Sequence, residues 1–132
     1  MYEKPLPVID SDSRPFWDGC KAGKLLLQYS KSADKYFFYP RPFVPGTGER
    51  DVEWVEASGE GTIYSYTVAE RAGPAFQDDA PFVVAVIQLK EGPRMLSNVR
   101  TDSPYDIKIG DKVKVYFDKA TDDVTLPKFD IA

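Results

Sequence analysis

The sequence predicts a mainly β chain: a short N-terminal helix, then closely spaced short strands that close into a small barrel. Three observations predict it. Eleven prolines and nine glycines in 132 residues interrupt the chain too often for long helices. From Val52 onward, short apolar and β-branched runs recur between turn residues. A hydrophobic content of 42%, with 14% aromatic residues, supplies a core without disulfide or metal staples.

The helix comes first. Asp12 or Ser13 serves as N-cap, Pro15 suits an early helical position and Gly23 suits the left-handed exit. Phe16 and Cys20 share one face at four-residue spacing, and Gly19 is a cost to be explained. Lys24 to Tyr29 and Tyr36 to Tyr39 read as two short strands around a polar turn. Pro40, Pro42, Pro45, Gly46 and Gly48 then make residues 40–51 a loop. Residues 1–51 form one segment, and residues 52–132 form the barrel.

In the second segment Val52 to Glu56, Gly61 to Val68, Phe82 to Leu89, Arg94 to Arg100, Lys112 to Phe117 and Val124 to Phe129 are the strands. Gly59 and Gly61 flank a tight turn or bulge. Phe82 to Leu89 has almost no polar face and reads as a central strand, whereas Lys112 to Phe117 alternates and has one wet face. The loop at 71–81 is longer than a hairpin needs and is a candidate docking loop. Five or six such strands favour an OB-fold barrel over its competitor, a β-sandwich fragment.

Composition excludes more chemistry than it offers. There is no histidine, which removes the usual general base, the serine triad and the commonest zinc ligand. Cys20 has no histidine to activate it and reads as a small packed side chain. Gly46-Thr47-Gly48 and Gly59-Glu60-Gly61 are turns, lacking the rest of a phosphate-cradling loop. The carboxylates Glu53, Glu56, Asp78, Asp79, Asp118, Asp122 and Asp123 read as solvated surface. Residues 52–132 carry 14 acidic against 9 basic side chains, the wrong balance for a phosphate backbone. No run approaches the roughly 18 apolar residues of a membrane span. Met1-Tyr2-Glu3-Lys4-Pro5 lacks a signal-peptide layout, and one cysteine cannot form an internal disulfide. The expected setting is a reducing cytoplasm, away from membrane and nucleic acid. Among the aromatic residues, Tyr36, Phe38, Phe76 and Phe129 are candidates for contact with a protein partner.

The strings PFWDGCKAGKLLLQ, YPRP, WVEASGEGTIYSYTV, FVVAVIQL, RMLSNV, IGDKVKVYF and LPKF follow in that order, within a match that runs from about Pro5 to Phe129. Together they resemble the OB-fold family labelled domain of unknown function thirty-five, in which a rubredoxin-like zinc ribbon precedes the barrel. The resemblance implies a bridging subunit, bound to a thiolase-like or aldolase-type enzyme or to an acyl-CoA hydratase. That partner would supply the catalytic residues, and coenzyme A would be shared with it. It also implies a departure. The four cysteine positions of the ribbon fall on Ser30, Ala33, Val44 and Thr47, so no zinc is expected, and residues 1–51 form a zinc-less ribbon. A structural zinc contributes roughly 10–16 kcal/mol of apparent binding energy, and its loss must be offset elsewhere.

The sequence therefore points to a non-catalytic subunit acting in degradation of an aromatic, steroid or other bulky acyl chain. Arg71, Arg94 and Asn98 are the candidate coenzyme A contacts, since phosphates need cationic or amide donors. The competing readings are a single-stranded nucleic-acid-binding OB-fold module, using aromatic rings such as Tyr64 and Tyr66 to stack bases, and a free-standing enzyme.

Overall fold

The computed structural model describes residues 4–46, 48 and 50–132. Its first element is the helix α1, Arg14–Lys21, with Pro15 in its first turn. Ser13 occupies the N-cap position, yet its hydroxyl bonds no helix N–H. It donates instead to Asp10 Oδ1 at 2.7 Å, which also accepts from the Ser13 N–H at 2.8 Å. The expected cap is thus a turn closed ahead of the helix, because a carboxylate is the stronger acceptor. The chain leaves through Gly23 at φ +79°. Phe16 and Cys20 are buried on the expected face, and Trp17 joins them. Packing accounts for Gly19: a Cβ there would lie 2.8 Å from Leu26 Cγ, so α1 sits closer to the next strand than alanine permits.

Three strands follow: β1, Leu26–Ser30; β2, Lys35–Phe37; and β3, Val52–Glu56. They form an antiparallel sheet in the order β2-β1-β3. β3 lies where the sequence places a strand, but its partner corrects the reading. It pairs with β1, from Leu26 opposite Glu56 to Ser30 opposite Val52, rather than with the barrel. Strand periodicity identifies a strand without naming its neighbour. β2 ends early because Phe38 turns to pack edge-on against Phe16, ring centroids 5.4 Å apart.

The barrel consists of β4, Glu60–Ala69; β5, Phe82–Leu89; β6, Arg94–Arg100; β7, Lys112–Lys119; and β8, Thr125–Ile131. It closes in the order β4-β5-β6-β8-β7. Every pairing is antiparallel except β6 with β8. β4 serves two partners: Glu60–Thr62 pair with β7, and Gly61–Ala69 with β5, with an irregularity between Ile63 and Ser65. Such a bulge lets one strand turn from one neighbour to the next. The sandwich alternative is not formed.

One core unites both parts. Val83, Ala85, Ile87 and Leu89 point inward from β5, with Ile63, Met95, Val99, Val113 and Phe129 beside them and Phe16, Cys20, Leu25 and Leu27 closing one end. β5 has strands on both sides, as its sequence predicts. Its outward residues, Phe82, Val84 and Val86, are only half-buried. No helix among the described residues is long and apolar enough to cross a membrane.

Gly61 sits where the barrel closes, opposite Leu89 on one side and Val113 on the other. A Cβ there would lie 2.7 Å from the backbone oxygen of Gln88, which cannot move without opening the ladder. Gly61→Val should lower stability by about 1–3 kcal/mol in urea unfolding. Gly73→Ala, where a Cβ would meet nothing within 4 Å, should change little, and equal effects would contradict the closure argument.

Candidate functional site

The outer face of the barrel carries a groove of about 770 Å³. Alternation along the strands builds it: residues between the inward-facing ones of β5, β6, β7 and β8 turn outward. Val84 lies beside Asn98, and Val86 beside Leu96. Arg100 lies beside Asp130, Lys128 beside Tyr116, and Leu126 beside Asp118. Loop 71–81 forms one wall with Ala72, Phe76, Asp79 and Pro81, and Phe76 rests 6.3 Å from the Phe82 ring. A second hollow, about 360 Å³, opens beside the groove between α1 and the barrel, lined by Trp17, Phe38, Tyr39, Met95 and Pro127 among others.

The groove's charges are internally matched. Arg100 forks onto Asp130, with Nε and Nη2 donating at 2.7 and 2.8 Å, and its guanidinium stacks 3.8 Å over the Tyr116 ring. These bonds to Asp130 raise the arginine's proton affinity further. Burial, first, pushes the Tyr116 phenol above its ordinary value. Lys128 Nζ lies 2.8 Å from Asp118 and Lys4 Nζ 2.5 Å from Asp79. Cys20 is remote from this chemistry: burial pushes its thiol up to about 12, leaving it in the form that neither attacks nor binds metal.

The three candidate coenzyme A contacts are not gathered. Asn98 lines the groove, its amide donating to the Val83 carbonyl at 2.9 Å. Arg94 lies four residues away, about 13 Å along the strand. There it stacks 3.8 Å over Tyr64 and donates to Gln88 Oε1 at 2.8 Å. Arg71 is exposed at the root of the 71–81 loop. Of the aromatic candidates, Phe76 lines the groove and Phe38 the hollow, while Tyr36 stacks on Tyr29 at 4.8 Å. Phe129 is a correction. It is 0% exposed, an inward residue of β8 at the barrel's centre, and cannot meet a partner. Leu96, Arg100, Tyr116, Leu126 and Lys128 were missed. The signal was the outward alternation of Arg94, Leu96, Asn98 and Arg100, which sets one apolar side chain in a polar row.

Around Ser30 and Ala33, two of the positions that the resemblance assigns to ribbon cysteines, hydrogen bonds tie loop to strand. Ser30 is fully buried; its Oγ accepts from the Ala33 N–H at 3.1 Å and donates to Asp51 Oδ1 at 3.1 Å. Asp51 Oδ2 accepts from the Ser32 N–H at 2.7 Å. Gln28, 5% exposed, pairs with Arg41 like a strand neighbour, its amide donating to the carbonyl at 2.9 Å and accepting from the N–H at 2.8 Å. Val44 is buried, and Thr47 lies outside the described residues. Among the described residues no three or more carboxylate, cysteine or histidine side chains are placed to hold a metal ion.

Comparison with known proteins places this geometry in context. The profile of the ChsH2 C-terminal OB-fold domain matches residues 54–118. A probable enoyl-CoA hydratase alpha subunit of Thermomonospora curvata is 35% identical over 96% of this chain, which spans only 39% of that subunit. A DUF35 domain-containing scaffold protein of Methanocaldococcus jannaschii is 31% identical over 70% of this chain and 67% of its own length. Among solved structures, a chain of the Ltp2-ChsH2(DUF35) aldolase superposes with a TM-score of 0.84 at 34% identity, covering 96% of this chain and 98% of that one.

Two outcomes follow for the loop. Gln28→Leu should cost about 1–3 kcal/mol, since it strands a backbone donor and acceptor of Arg41, and limited proteolysis should then cut within residues 40–51 first. The Ser32 N–H, before the serine hydroxyls, holds the Asp51 carboxyl below its ordinary value of 3.8. A depressed folded value gives stability that is present above pH 3.8 and lost as pH falls through the lower folded value. Asp51→Asn should therefore flatten the acid limb of the thermal midpoint against pH, and an unchanged limb would contradict the assignment.

Proposed function

Because this chain belongs to the DUF35 family of OB-fold proteins, we propose that it is a non-catalytic subunit of an acyl-CoA enzyme, docking on a thiolase- or aldolase-type protein and shaping its acyl-CoA site. The relatives supply the partner class: one is named a scaffold protein, one an alpha subunit of an enoyl-CoA hydratase, and one is solved within an aldolase. The observation that carries the reading is the groove. It is large enough for recognition, and Phe82, Val84, Leu96 and Leu126 give it apolar surface among charges that are already paired.

In this reading the partner supplies the chemistry and most of the coenzyme A contacts. Arg71, which has no carboxylate partner among the described residues, is the cation best placed to meet a phosphate held by the partner, beside the 71–81 loop. Asn98 faces the shared boundary, and Arg94 is held against Tyr64 of β4 and Gln88 of β5. The Gln28 and Ser30 contacts hold the loop of residues 40–51 without zinc. The substrate is a bulky acyl chain, a steroid or an aromatic one, and the complex works in the cytoplasm. The nucleic-acid alternative is weaker on two observations. Arg94 covers the Tyr64 ring, and the Tyr66 hydroxyl is bound to the Ile107 carbonyl at 2.9 Å.

Co-expression with an Ltp2-type aldolase or thiolase-like protein tests the proposal. The two chains should co-elute on size exclusion, and the partner's turnover of a bulky acyl-CoA should rise when this chain is added. Separate elution with an unaltered partner rate would sink the proposal.

A further inference from the structure

The three-stranded sheet ends in an edge that the fold leaves open. In its order β2-β1-β3, β3 has β1 on one side and no strand on the other. Antiparallel strands exchange bonds at alternate opposed pairs, and the residues between turn their N–H and C=O groups outward. The Ala57 N–H donates to the Leu25 carbonyl at 2.8 Å, which marks that opposed pair as bonded. Alternation along the register then makes Leu27 with Val55 and Tyr29 with Glu53 the bonded pairs. Val52, Trp54 and Glu56 therefore point their backbone groups away from β1. Among the described residues those groups have no partner.

The edge is accessible, since no residue of β3 is buried. Its chemistry selects a strand, because only an extended backbone offers N–H and C=O groups at the matching spacing. The side chains decide which strand. Two copies of β3, laid antiparallel about a two-fold axis at Trp54, oppose Val52 with Glu56, Glu53 with Val55, and Trp54 with its copy. Every outward N–H of one copy then meets an outward C=O of the other. Moving the axis to Glu53 brings that carboxylate against its own copy. Moving it to Val55 carries Val52 past the end of the opposing strand. A parallel pair in register sets each glutamate beside its copy. Like charges directly opposed are unfavourable, and aromatic pairs are favourable. Charged residues guard many edge strands against pairing, but in the Trp54-centred register each guarding glutamate faces a valine.

We infer that β3 pairs with β3 of a second copy of this chain, antiparallel about Trp54, joining the two sheets edge to edge. A two-fold interface requires a surface that complements itself, and this edge does so in backbone and in charge. The dimer uses no residue that lines the groove or the hollow, so it goes beyond the docking role and does not depend on it. Five residues a side make a small interface, hence a transient dimer populated at high concentration.

Sedimentation equilibrium of the full chain over a concentration series, with amide exchange followed by NMR, tests the pairing. The Glu53 and Val55 amides, bonded to β1, should be protected at every concentration. Those of Val52, Trp54 and Glu56 should gain protection only as the dimer forms. Val52→Lys, which opposes a cation to Glu56 of the copy, should tighten the dimer about threefold or more, and Val52→Glu should loosen it as much. Adding Glu56→Lys to Val52→Glu should restore the dimer, which a folding defect would not allow. A monomer at about 1 mM, or shifts of the same sign from Val52→Lys and Val52→Glu, would overturn the inference. So would a dimer whose newly protected amides lie outside β3, or protection of this edge that appears only with the enzyme partner present.

Discussion

A single missing N–H shapes the outer groove of this barrel. A barrel of five strands satisfies its backbone groups by pairing every edge, and here one edge cannot be fully paired. Pro127 turns a carbonyl toward β6, accepts one bond from Ser97 and offers nothing in return. β6 and β8 consequently meet by backbone at two positions only. The outward residues on either side of that seam, Leu96 and Asn98 from β6, Leu126 and Lys128 from β8, line a trench. The barrel stays closed because β4 pairs at once with β5 and β7 around Gly61, and because Phe129 and its neighbours fill the centre.

The N-terminal part is tied into the same economy of backbone groups. α1 closes one end of the core with Phe16 and Cys20, and β1 carries two polar anchors for the loop of residues 40–51. Gln28 supplies one donor and one acceptor to Arg41, as an adjoining strand would. Ser30 links the Ala33 N–H to the Asp51 carboxylate. These bonds are individually modest. They work because Gln28 and Ser30 are buried, where water cannot compete and a lost partner would be costly.

Much of the fold was legible in the chain. Val52–Glu56, Phe82–Leu89 and Arg94–Arg100 have the limits their turn residues and alternation predict, because those signals are local. Partnership is not local, so β3 gave no sign that it joins β1. The anchors were hidden for the same reason: Gln28 meets a residue 13 positions away and Ser30 one 21 away. Arg94 looked like a free cation because the Tyr64 ring beneath it lies on another strand. Phe129 looked like a docking residue because aromatic character says nothing about which side of a strand faces inward. Leu96 was readable in principle, as the apolar member of an outward polar row.

In the docking role proposed for this chain, the groove along the β6–β8 seam is the face expected to meet the partner. Hydrogen–deuterium exchange of the chain alone and in its enzyme complex tests this most directly. Slowed exchange concentrated in residues 94–98 and 125–128 is the expected result. Slowing confined to the β2-β1-β3 sheet, with the seam unchanged, would contradict it.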